Sequence, residues 1–146
     1  MNIIDLSTWT VLAVDDEPDS LEVLAEVLAM HNATVHPVPS GDEALTRLQT
    51  LRPTLVVTDL SMPTMDGYQL LHKIRHIEGM DRTPVIALTA HAMSGDKERI
   101  LAAGFTGYVS KPLRIGTLVS EILASVPTLT PVAEPPKQPE PPVSIS

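Results

Sequence analysis

The chain has 146 residues, a formal net charge of −8 at pH 7 and no cysteine. This length suits about one domain, and the lack of cysteine excludes disulfides, thiolate zinc sites and cysteine nucleophiles. An acidic chain without a basic stripe argues against direct nucleic-acid binding. We see no signal peptide and no apolar run near the roughly eighteen residues that a membrane span needs, so we expect a cytoplasmic protein without membrane insertion.

Five short apolar segments alternate with five amphipathic segments. The predicted strands cover residues 10–14, 34–38, 54–58, 85–88 and 107–109. The predicted helices cover residues 18–30, 41–51, 67–77, 92–103 and 114–126. The first, third and fourth strands are almost continuously apolar, which is typical of parallel strands covered on both faces. The alternation predicts a doubly wound α/β fold, (βα)5, in which right-handed crossovers place helices on both sides of a parallel five-stranded sheet.

The composition changes after residue 126. Residues 127–146 hold seven of the fourteen prolines and no aromatic residue, so they cannot bury enough apolar surface to become ordered. We expect a short N-terminal extension at 1–9, one folded domain at 10–126 and a proline-rich disordered tail at 127–146. A spacer is the favoured interpretation of the tail; a partner ligand or a truncated linker are the alternatives.

Polar residues follow four of the five predicted strands. Asp15 and Asp16 follow the first strand, Asp59 the third, Thr89 the fourth and Lys111 the fifth. Because open α/β folds carry out their chemistry at the carboxyl ends of their strands, we expect these side chains to converge there. Three carboxylates, a hydroxyl and an ammonium at one rim suit Mg²⁺ together with a phosphoryl group.

The same residues carry a family resemblance. Asp15-Asp16, the segment D-L-S-M-P-T-M-D-G that starts at Asp59, Thr89-Ala90 and Lys111-Pro112 together resemble the receiver domain of two-component response regulators. The resemblance covers about residues 10 to 126. It implies a flavodoxin-like sheet of strand order 2-1-3-4-5. It also implies a phosphorelay module that takes a phosphoryl group from a histidine kinase or a histidine phosphotransfer protein and then changes its contacts with an output protein, which remains unknown.

The resemblance assigns roles to the acids and the lysine. Asp59 would be the phosphoacceptor, its carboxylate acting as the nucleophile. Asp16 would bind Mg²⁺ directly and Asp15 through water, and Asp59 and the backbone carbonyl of Ser61 would supply further oxygen ligands. Lys111 would contact the phosphoryl oxygens as a point charge.

Further roles concern switching and hydrolysis. The hydroxyl of Thr89 would donate to a phosphoryl oxygen, and the ring of Tyr108 would move between two positions that phosphate biases. Ser61 and His91, each two residues beyond an active residue, would flank the attacking water and tune hydrolysis. The peptide bond of Lys111–Pro112 is a candidate for the cis form.

The first predicted helix has two apolar faces. The face expected to be buried is made up of Leu21, Leu24, Ala25 and Leu28. Val23, Val27 and Met30 recur at i, i+4 and i+7 on the other side and are expected to be exposed. In the family this helix docks the helical bundle that carries the donor histidine, so the exposed stripe would be a partner surface.

Two other functions remain open. The chain could be a receiver segment detached from a hybrid histidine kinase or another multidomain regulator. Less favoured is a Mg²⁺-dependent phosphatase with an aspartyl nucleophile, because such phosphatases usually place a second aspartate two residues after the nucleophile, where this chain has Ser61. We expect no enzyme beyond self-catalysed phosphorylation and dephosphorylation of the receiver.

Overall fold

A computed structural model describes residues 4–90 and 94–126. Its strands are β1 (Thr10–Val14), β2 (Thr34–Val38), β3 (Leu55–Asp59), β4 (Val85–Thr89) and β5 (Gly107–Ser110). Its helices are α1 (Pro18–Met30), α2 (Gly41–Arg47), α3 (Gly67–Arg75), α4 (Ser94–Ala102) and α5 (Leu118–Ser125). The strands form one parallel sheet of order β2-β1-β3-β4-β5. The predicted (βα)5 fold and its strand order are confirmed.

Some element ends differ from the prediction. β3 lies one residue later than expected. Thr54 comes just before it and bonds to Thr10 with both backbone and side chain: its N–H donates to the Thr10 carbonyl at 2.8 Å, and its Oγ1 accepts from the Thr10 N–H at 2.9 Å. At the other end, the ladder runs on to Asp59, which is in register with Leu88. Helix α5 begins at Leu118 rather than residue 114, because residues 114–117 form a turn in which the Thr117 N–H reaches the Arg114 carbonyl.

The sheet separates two hydrophobic cores. Successive β1 residues point to opposite faces, so Val11 and Ala13 belong to the core under α1 and α5, and Leu12 and Val14 to the core under α2, α3 and α4. Strands β3 and β4 are buried along their whole length. This double cover explains their near-continuous apolar sequence, and it rigidly fixes the carboxyl ends of the strands.

Residues 4–9 pack onto the amino end of the sheet. Leu6 and Trp9 are 0% and 2% exposed and belong to the core under α1 and α5. The Leu6 N–H donates to the His31 carbonyl at 2.7 Å, and the Ile4 N–H donates to His31 Nδ1 at 2.9 Å. This segment, which the sequence pattern marks as an extension, thus contributes to the core. The predicted tail, 127–146, lies outside the described residues.

In the described ranges, no helix has the length and apolar character needed to cross a membrane.

Candidate functional site

Strand ends bring the predicted acids and lysine together. Asp15 directly follows β1, Asp59 closes β3, Thr89 closes β4 and Lys111 directly follows β5. Because the strands are parallel and in register, these positions lie along one edge of the sheet. Carboxylate oxygens of Asp15, Asp16 and Asp59 all lie within 4.8 Å of one another.

Lys111 is the cation of this cluster. Its Nζ lies 3.0 Å from Asp15 Oδ2, 2.9 Å from Glu17 Oε1 and 3.4 Å from Asp59 Oδ1, and its side chain is only 13% exposed. Burial opposes the charge of the ammonium, but Glu17, Asp15 and Asp59 outweigh it and raise the pKa of Lys111 above its usual value. The amine is therefore charged throughout the physiological range. The Lys111–Pro112 peptide bond is cis, as expected.

Asp59 is nearly buried, with 6% of the residue exposed. Burial, and secondly the charge of Asp15, raise its pKa from 3.8 to about 6, and Lys111 offsets part of this effect. The charges of Asp15 and, to a smaller extent, Asp16 thus add to burial in opposing the ionisation of Asp59. A cation bound among the three acids would remove that opposition.

The donor set fits a hard cation such as Mg²⁺. Asp15 is fully buried, and its Oδ1 accepts a hydrogen bond from the Glu17 N–H at 3.0 Å. Its buried Oδ2 accepts no well-formed hydrogen bond from the described residues, although the ammonium is near. Asp16, in contrast, is exposed at the rim. Carboxylate oxygens in this number, with room for water beside them, are what Mg²⁺ prefers.

An open cavity of about 220 Å³ lies above these groups. It is lined by Asp16, Glu17, Asp59, Ser61, Thr89, Ala90 and Lys111. The cavity therefore joins the acid cluster to the threonine and the lysine, as the sequence predicts. His91, which follows Ala90, lies outside the described residues.

The loop between β3 and α3 is fixed by close packing. A Cβ on Gly67 would lie 2.5 Å from the Asp59 carbonyl oxygen and 2.9 Å from Leu60 Cα, so only glycine fits there. Asp66 and Gln69 form a capping box at the start of α3, with hydrogen bonds of 2.8 and 2.9 Å. The backbone that carries Asp59 is thereby anchored to a helix.

Tyr108 lies in β5, in register with Ala87. It is half-buried against the core under α2, α3 and α4, and Lys97 Nζ lies 5.8 Å from its ring centroid. The ring thus contacts α4, the helix that follows Thr89 along the chain.

The structure corrects the predicted stripe on α1. Val27 is 2% exposed and belongs to the core, Val23 is half-buried against the same core, and only Met30 is well exposed, at 45%. The prediction is wrong for Val27 because this residue lies three positions after Leu24, on the buried side of the helix.

Glu17 is the site residue that sequence reasoning missed. Its place just before α1 predicts only a favourable negative charge at the positive end of the helix dipole. Its carboxylate instead contacts Lys111 and also accepts a hydrogen bond from Ser20 Oγ at 3.2 Å. Because 94 residues separate Glu17 from Lys111, no local pattern could reveal the contact.

The fold and site define a phosphoryl-accepting module of the two-component class. The family model of the response regulator receiver domain matches residues 11–123, and the chain belongs to this family. It is 39% identical over 104 residues to the signal transduction histidine-protein kinase BarA of Escherichia coli K12, covering 71% of this chain and 11% of that protein.

Two solved structures are similar. Chemotaxis response regulator CheY4 of Vibrio cholerae gives a TM-score of 0.76 at 28% identity, over 81% of this chain and 98% of that one. The receiver domain of sensor histidine kinase PA1611 of Pseudomonas aeruginosa gives 0.73 at 31% identity, over 82% and 98%. That structure has a magnesium ion coordinated in its active-site cleft. Receiver domains thus bind Mg²⁺ at such an acidic pocket and act with histidine kinases or phosphotransfer proteins.

Proposed function

We propose that Asp59 accepts a phosphoryl group from the phosphohistidine of a histidine kinase or a histidine phosphotransfer protein. The observation that carries this proposal is the placement of the nearly buried Asp59 carboxylate. One of its oxygens lies within 4.8 Å of carboxylate oxygens of Asp15 and Asp16. Its Oδ1 also lies 3.4 Å from Lys111 Nζ. A structural aspartate has no need of two further acids and a mostly buried ammonium beside it.

The transfer is a nucleophilic displacement at phosphorus. A carboxylate oxygen of Asp59 forms a bond to phosphorus while the P–N bond of the phosphohistidine breaks, and the electron pair of that bond stays on the imidazole nitrogen. With a pKa of about 6, Asp59 is ionised at neutral pH and ready to attack. Lys111 places a positive charge beside the oxygens of the arriving group.

Mg²⁺ is the cofactor that the acid cluster would hold. Asp16, Asp59 and the backbone carbonyl of Ser61 are its proposed direct ligands, and Asp15 its ligand through water. When bound, the ion supplies positive charge that offsets the carboxylates and the phosphoryl oxygens. The support for this assignment is the donor chemistry of the site and the buried Asp15 Oδ2 without a well-formed hydrogen bond among the described residues.

Thr89 and Tyr108 are the proposed switch residues. Thr89 lines the cavity that Asp59 also lines, so we assign its hydroxyl the role of donor to a phosphoryl oxygen. A shift of the chain after Thr89 would move α4, against whose Lys97 the ring of Tyr108 lies. Phosphorylation would thereby alter the surface offered to an output protein. We also propose that Ser61, which lines the cavity, and His91 flank the water that attacks the aspartyl phosphate and thereby set the rate of its hydrolysis.

A second candidate is a receiver segment that works within a larger histidine kinase. It is favoured by the match to BarA, of which the chain spans 11%. Both candidates use the same chemistry and act in the cytoplasm. In both, residues 10–126 are the receiver and residues 127–146 are a spacer. The phosphatase alternative is not favoured, because Ser61 stands where its acid–base aspartate would be.

Phosphorylation by acetyl phosphate tests the proposal. With Mg²⁺ present, the chain should gain one phosphoryl group, seen by intact mass spectrometry and lost on treatment with hydroxylamine, and Asp59→Asn should abolish it. Asp42→Asn, at an exposed position of α2, is the matched control and should react normally. Unchanged incorporation in Asp59→Asn would show that the acceptor lies elsewhere.

A further inference from the structure

The ammonium of Lys111 lies among three carboxylates in this structure. An ammonium carries three N–H groups, and three carboxylates surround it: Asp15 at 3.0 Å, Glu17 at 2.9 Å and Asp59 at 3.4 Å. A phosphoryl group on Asp59 needs at least one of these donors for its own oxygens. The phosphoryl oxygens must therefore compete for the ammonium with the surrounding carboxylates, and Glu17 already accepts a hydrogen bond from it at 2.9 Å.

The contact that gives way can be identified from solvent exposure. The side chain of Asp15 is 0% exposed, so leaving it without the ammonium would strand a buried charge. Asp59 itself carries the phosphoryl group. Glu17 has 62% of its side chain exposed, and water can replace the ammonium at little cost.

We propose that Glu17 is a positioning residue that holds Lys111 away from the phosphoryl position and sets how readily the site accepts a phosphoryl group. Its carboxylate competes with phosphoryl oxygens for the same ammonium and is displaced on each cycle. This inference rests on the proposed function and adds a residue that the family resemblance did not assign. Ser20 assists, because its Oγ donates to the same Glu17 oxygen, Oε1, that contacts Lys111.

Removing the carboxylate of Glu17 should favour the phosphorylated form. Glu17→Gln keeps the length of the side chain but loses its charge, so the ammonium is freed for the phosphoryl oxygens. Because an exposed ion pair contributes little, we expect affinity for the phosphoryl mimic beryllofluoride to rise by about 1.5- to fivefold. Ser20→Ala should give a smaller rise in the same direction.

The experiment is a titration with beryllofluoride at saturating Mg²⁺, followed by amide chemical shifts. Asp19→Asn is the matched control: it removes the same charge from the exposed first turn of α1, and Asp19 is not among the ion-pair partners found for Lys111 in the described residues. Glu17→Gln should tighten binding while Asp19→Asn leaves it unchanged. An equal gain in both would mean general charge repulsion and would overturn the proposal, as would unchanged or weaker binding in Glu17→Gln.

A double-mutant cycle tests whether Glu17 acts through Lys111. In the background Lys111→Gln, which itself weakens binding, the further change Glu17→Gln should have no effect. A gain that persists without the lysine would overturn the proposal. Failure of the unsubstituted chain to bind beryllofluoride would instead overturn the proposed function and this inference together, a result distinct from all the others.

Discussion

Replacing Asp59 by asparagine should stabilise the protein in the absence of Mg²⁺. Burial and the charge of Asp15 raise the pKa of Asp59 from 3.8 to about 6, so ionising this carboxyl is harder in the folded chain than in the unfolded chain. Each unit by which the pKa rises corresponds to about 1.4 kcal/mol, so the ionised carboxyl destabilises the folded chain by at most about 3 kcal/mol. Since the asparagine amide must also find hydrogen-bond partners in a nearly buried place, we expect a gain of about 1–3 kcal/mol in the free energy of unfolding.

The pH dependence of this gain follows from the direction of the shift. Below about pH 3.8 the carboxyl of Asp59 is protonated in both states and has no effect. As the pH rises from there to about 6, the unfolded chain releases its proton first, so wild-type stability falls. The advantage of Asp59→Asn should therefore be small near pH 4 and complete above pH 6.

Urea unfolding in excess chelator, followed by circular dichroism between pH 4 and 8, measures this difference. Glu22→Gln, an exposed acid on α1, is the control and should change stability by less than about 0.5 kcal/mol. Adding Mg²⁺ should stabilise the wild type more than Asp59→Asn, because the proposed ion site uses the native carboxylate of Asp59. A difference between the two proteins that is independent of pH, or a destabilised Asp59→Asn, would refute this explanation of the raised pKa.

Three further results are expected. Asp16→Ala should weaken Mg²⁺ binding more than Asp15→Ala in a calorimetric titration, since only Asp16 is proposed to touch the ion directly; equal losses would contradict this. Gly67→Ala should lower the free energy of unfolding by more than about 1 kcal/mol, because its Cβ would overlap the carbonyl oxygen at the end of β3; an unchanged urea midpoint would contradict the close packing. Met30→Glu should slow phosphotransfer from the partner histidine protein but not from acetyl phosphate if α1 docks that partner, whereas Val27→Glu should unfold the chain, because it buries an unpaired charge.

The acid cluster could be predicted from sequence because it depends on strand ends. An apolar run that stops at an aspartate fixes both the strand and the position of the acid along it, and the parallel arrangement brings such ends together. Asp15 and Asp59 follow this pattern, and Lys111 comes directly after the fifth strand. The structure brings the three side chains within ion-pair or metal-binding distance.

The remaining features depend on contacts between distant segments. The burial of Val27 involves the same core into which Leu6 packs, and a helical wheel of α1 alone contains no information about that core. The contact of Glu17 with Lys111 likewise needs the geometry of two strand ends. The start of β3 likewise depends on how Thr54 bonds to Thr10, 44 residues earlier in the chain.

Trp9 gives this molecule a built-in optical probe at the end of the sheet remote from the acids. It is the single tryptophan of the chain, buried where β1 begins, whereas Asp59 stands where the parallel neighbour β3 finishes. A five-residue strand separates the two ends by roughly 16 Å. The fluorescence emission of Trp9 should therefore report unfolding of the whole domain. Any change of this emission on phosphorylation would mean that a structural change at Asp59 extends to the opposite end of the sheet.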